Sequence, residues 1–154
     1  MEEICRKYEE FLQKCDECSR KGWGNGYYVP LILKSFPSSL KNLKPTAQEI
    51  KEFSLLLKPY QEIPSFSETG DYLTWLINQS ENQEFEIITE HLDQEICSLC
   101  EVNKKELTLT VRGNIGEGLG EQMNKGSIIV EGNAGNWVGK NMGGGNIKIL
   151  GNAG

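Results

Sequence analysis

No stretch of this chain approaches the ~20 consecutive apolar residues that a membrane-spanning helix needs. The acidic, polar start Met1-Glu2-Glu3 lacks the features of a secretory signal. Histidine is nearly absent, His91 being the only one. Acid–base catalysis would need a positioned partner for it, and the sequence names no nucleophile or second ligand. It therefore reads as a partly exposed helix residue beside Glu90. Basic side chains are in deficit, 16 against 22 acidic ones, for a net charge of −6. That balance argues against nucleic acid or an anionic membrane surface as the main partner. Cysteine is sparse and odd in number, five residues set as two C-x-x-C pairs plus Cys5. Such usage fits reduced thiols in a cytoplasm, where the sequon at Asn78-Gln79-Ser80 has no meaning.

What is present is unevenly spread. Of 17 glycines, 13 lie between Leu107 and Gly154, while the first 106 residues carry the net negative charge. The shift predicts two parts, a helical domain over 1–106 and a different architecture over 107–154.

In the first part, Ile4, Tyr8, Phe11, Cys15 and Cys18 recur at spacings of four and three, one face of an amphipathic helix that Gly22 would stop. The stretch KGWGNGYYVP is a break. Thr46-x-x-Glu49 forms a capping box ahead of the stripe Ile50, Phe53 and Leu57. A short helix over about 71–78 would bury Tyr72, Trp75 and Leu76. A second box, Ser80-x-x-Gln83, predicts a last helix with Ile88, Leu92, Ile96 and Cys100 on one stripe.

Two pairs here could carry chemistry. Cys15, Cys18, Cys97 and Cys100 could together hold a tetrahedral zinc or an iron–sulfur cluster, since thiolates suit both. The competing reading is packing, because Cys15, Cys18 and Cys100 fall on apolar helical stripes, where free cysteine behaves as a small hydrophobe. C-x-x-C knuckles also prefer turns, and neither pair has the usual glycine or proline. The spacing favours packing over ligation. No strand precedes either pair, which disfavours a thioredoxin-like redox motif. No residue of the chain is assigned as catalytic or cofactor-binding.

The glycine-rich part repeats itself at a shift of 19 residues. Gly113, Gly132 and Gly151 coincide, as do Gly116, Gly135 and Gly154, and Asn114, Asn133 and Asn152. Gly120 meets Gly139, Met123 meets Met142, and Gly126 meets Gly145. The apolar positions obey the same shift: Leu109, Ile128, Ile147; Val111, Val130, Ile149; Leu119 and Val138. Leu109 and Val111 alternate with Thr110 and Arg112, the two-residue period of a strand. The expectation is a right-handed parallel β-helix with one coil per 19 residues, glycines at its corners and a stacked asparagine amide ladder. A floppy tail is excluded, because disorder keeps no register. A phosphate loop is disfavoured: no helix start follows GEGLG, and GKNMGGG lacks P-loop spacing. Two coils and a fragment fall short of the roughly three repeats that solenoids need. The 107–154 region is therefore expected to be a truncated piece of a longer protein, or to stack its open end on a partner.

Repeats of the form G-N-x-G-x-x-x-G-x-x-M-x-x-G-x-I-x-[VI]-x-G resemble the GXGXG β-helix domain, which occurs in the glutamate synthase large subunit and in the β-helical subunit of formylmethanofuran dehydrogenase. GSIIVEGNAGNWVGKNMGGGNIKILGNAG, from Gly126 to Gly154, is most similar to the latter, with its G-N-A-G corners, Trp137 and the Met–Gly–Gly turn. The resemblance covers about the last third of the chain. It implies a non-catalytic scaffold, packed against catalytic subunits whose molybdenum or tungsten centre reduces carbon dioxide onto a C1 carrier, as in methanogenesis. The alternatives are a stand-alone glutamate synthase domain in nitrogen assimilation, or a thiolate metal-binding module.

Overall fold

A computed structural model describes residues 1–21, 43–100 and 106–154. Most of the KGWGNGYYVP break lies outside the described residues. Helix α1, Glu2–Arg20, buries Ile4, Tyr8, Phe11 and Cys15 of the expected stripe and Leu12 besides, and leaves Cys18 half-buried. Helix α2, Ala47–Leu55, starts as its capping box dictates. The Glu49 N–H donates to Thr46 Oγ1 at 3.2 Å, and the Thr46 N–H returns the bond to Glu49 Oε2 at 2.8 Å. Short 3-10 turns at Lys58–Tyr60 and Pro64–Glu68 lead into helix α3, Thr69–Gln79.

The second capping box opens no helix. Ser80 ends α3 in extended conformation, and strand β1 follows at Glu84–Ile88. Phe85 and Ile87 are buried, while Glu84 is exposed and Glu86 half-buried. The alternation and the β-branched run Ile87-Ile88-Thr89 suit a half-buried strand. The helical stripe Ile88, Leu92, Ile96 was a coincidence of spacing, and residues 89–100 form turns and irregular chain.

Strands β2 (Thr108–Arg112), β3 (Ser127–Val130) and β4 (Asn146–Ile149) complete one sheet in the order β1-β2-β3-β4, all parallel. The expected plan, a helical domain followed by a right-handed β-helix of uniform 19-residue coils, is corrected by this arrangement. Three helices among the described residues accompany a single small parallel sheet, an α/β fold. Its first strand comes from the segment expected to be helical. The 19-residue repeat sets the register of β2, β3 and β4 alone, with Leu109, Ile128 and Ile147 side by side. Glu84 instead faces Thr108, 24 positions on.

One apolar core runs from α1 and α2 through α3 to the inner face of the sheet, joining Tyr8, Phe53 and Tyr72 to Ile87, Val111 and Val130. Tyr8 meets Phe53 edge-on at 5.1 Å between ring centres, a favoured aromatic geometry. Strands β2, β3 and β4 are linked by residues 113–126 and 131–145, which stack through a bridge from Ile115 to Ala134, and Ala134 bridges on to Ala153 after β4. Glycine is required where they stack. A Cβ on Gly132 would lie 2.4 Å from the Gly113 carbonyl oxygen, and Gly113 itself holds φ +116°. The asparagines do form a ladder, though not amide to amide. Asn114 Oδ1 accepts the Asn133 backbone N–H at 2.9 Å, and Asn133 Oδ1 accepts that of Asn152 at 2.8 Å.

Candidate functional site: the uncovered end of the sheet

The cysteine pairs occupy different settings. Cys15 is buried on α1, with Cys18 half-buried one turn on. Cys97 and Cys100 sit in a turn, not on a helix, with Ser98 and Cys100 both at φ +58°. This turn is wedged between α3 and the first glycine-rich link. The Cys97 N–H donates to the Ser67 carbonyl at 3.0 Å, the Ser98 N–H to that of Glu117 at 2.8 Å, and the Cys100 N–H to Thr74 Oγ1 at 2.7 Å. Gly116 admits the Cys97 sulfur, which a Cβ there would approach to 2.7 Å. Ligation needs thiolates. Burial, reinforced by Glu68 and Asp71, pushes the Cys15 thiol well above its ordinary value, and burial pushes Cys100 up to about 12. Among the described residues no group of three or more His, Cys, Asp or Glu side chains is placed to hold a metal ion. The zinc or iron–sulfur expectation at Cys15, Cys18, Cys97 and Cys100 therefore gains no geometric support.

His91 lies in the turn after β1, half-buried rather than on a helix face. Its carbonyl accepts Lys58 Nζ at 3.1 Å, and among the described residues neither imidazole nitrogen has a hydrogen-bond partner. A groove of about 450 Å³ follows the N-terminal ends of the strands, lined by Glu84, Glu106, Thr108, Lys125 and Asn146 among others. Ligands of parallel sheets gather at the carboxyl ends instead. Among the described residues no helix is long and apolar enough to cross a membrane.

The two edges of the sheet differ sharply. Beyond β1, helix α2 lies along the strand. Ser54 Oγ accepts the Ile88 N–H at 3.0 Å, and Lys51 pairs with Glu86. Glu86 also pairs with Arg112, and its carboxyl is held below the usual range, most of all by the bond from Lys51. Beyond β4 the described residues place no strand or helix. The Asn146 and Leu150 N–H groups donate inward, to the Gly126 and Val130 carbonyls at 3.0 and 2.9 Å. Alternation along a strand then turns the backbone N–H and C=O of Ile147 and Ile149 outward.

Side chains tell the same story. Leu119, Met123, Ile128 and Val130 are fully buried, whereas their equivalents one repeat later, Val138, Met142, Ile147 and Ile149, are only half-buried. Leu150 is 58% exposed and Trp137 is 59% exposed on the same terminal layer. Trp137 stands at φ +61°, where the preceding repeat has Gly118 at +76°. A left-handed backbone costs a bulky residue about 1–2 kcal/mol. Here that cost falls on a residue left 59% exposed, with Lys140 Nζ lying 4.9 Å over the ring. The signal was visible in the repeat, as a tryptophan standing where its counterpart is glycine. The repeat count already pointed to an open end; which side chains are left half-buried there came only with the structure.

No family model matches the chain, and comparison with curated proteins and with solved structures gives no match.

Proposed function

We propose that this chain is a non-catalytic scaffold subunit or fragment of a larger assembly, in which a further strand, of the same polypeptide or of a partner, covers the β4 end of its sheet. One observation carries the reading: the half-buried layer Val138, Met142, Ile147 and Ile149, whose equivalents a repeat earlier are sealed in the core. Contiguous exposed apolar surface of this kind marks interaction sites. Full burial of each aliphatic side chain is worth about 1.5–3 kcal/mol, so a strand that sealed the layer would gain several such contributions.

The resemblance of Gly126–Gly154 to the β-helical subunit of formylmethanofuran dehydrogenase supplies the candidate complex, an oxidoreductase of C1 metabolism whose molybdenum or tungsten centre sits in other subunits. A glutamate synthase-type assembly in nitrogen assimilation is the second candidate. Genes flanking the coding sequence separate the two, as C1-enzyme subunits or as amidotransferase and flavin subunits. The direct test is gel filtration of the purified chain with each set of recombinant catalytic subunits, with both activities assayed on the chain alone. The expected outcome is comigration with one set and no turnover by the chain itself. Turnover of either substrate by the isolated chain would sink the assembly reading.

A further inference from the structure

We draw no further inference here: the strongest candidate, the imidazole of His91 in the turn after β1, whose two buried nitrogens have no hydrogen-bond partner among the described residues, lines neither the groove at the N-terminal ends of the strands nor the cleft between α2 and strands β1 and β2, and joins no metal-holding group of side chains among those residues, so nothing there shows what it would bind.

Discussion

Trp137 concentrates the conflict between folding and contact in one residue. Its φ of +61° suits glycine, its ring is 59% exposed, and Lys140 lies over it at 4.9 Å. Removing a buried aromatic costs about 3–5 kcal/mol. Trp137→Gly should behave otherwise. Relief of about 1–2 kcal/mol of backbone strain is set against about 0.5–1 kcal/mol of glycine entropy and a similar cation–π loss. The expected change in stability lies within about 1 kcal/mol of zero, read from urea unfolding. A loss above about 2 kcal/mol would show that the ring packs against the fold, removing the ground for calling it a contact residue.

Helix α2 closes one side of the sheet, and a buried hydroxyl joins them beside the Lys51–Glu86 ion pair. Ser54 Oγ accepts the Ile88 N–H at 3.0 Å while donating to the Lys51 carbonyl at 2.6 Å. Ser54→Ala leaves a buried N–H without an acceptor, at a cost of about 1–3 kcal/mol. Stability read from urea unfolding should fall by that amount, and amide exchange at Ile88 should quicken; an unchanged midpoint would mean that water reaches this edge. The helices on either side of this joint were legible in the sequence, since Thr46 and Glu49 announce α2 and a three-four spacing announces α1. β2, β3 and β4 were legible because identical residues recur at a fixed offset, which lines up their registers. β1 was not. Its alternation spans only Glu84–Ile88, helical spacing continues by chance through Leu92 and Ile96, and its partner lies 24 rather than 19 positions away. A capping box is a local signal, and at Ser80 the pairing of Phe85 and Ile87 with β2 overrode it.

For the molecule as a whole, the core sets a limit at high pH. Burial raises the thiols of Cys15 and Cys97 from an ordinary 9.0, and takes Cys100 up to about 12. It also raises Tyr8 and Tyr72 from 10.0, and Tyr60 up to about 12. Groups whose folded pKa is raised contribute stability that is fully present below the unfolded pKa and is lost as pH rises through the folded value. Unfolding free energy should therefore hold steady to about pH 9 and decline beyond it. Urea melts at about pH 7 and about pH 10.5 would show the difference, and equal midpoints would contradict the burial of these groups. Of the candidate site, the sequence displayed the glycine-to-tryptophan exchange and the apolar column. It also pointed to an open end at the last repeat, but hid that the opposite side is closed, because that depends on α2 lying along β1. The two unlike sides also govern stoichiometry. A sheet open at both edges can recruit its own kind without end, the route to fibrils. Here one edge is blocked by a helix and its buried hydroxyl, so addition at the other cannot propagate back through this molecule. Extension of this sheet past β4, by whatever strand follows it, is therefore confined to one direction.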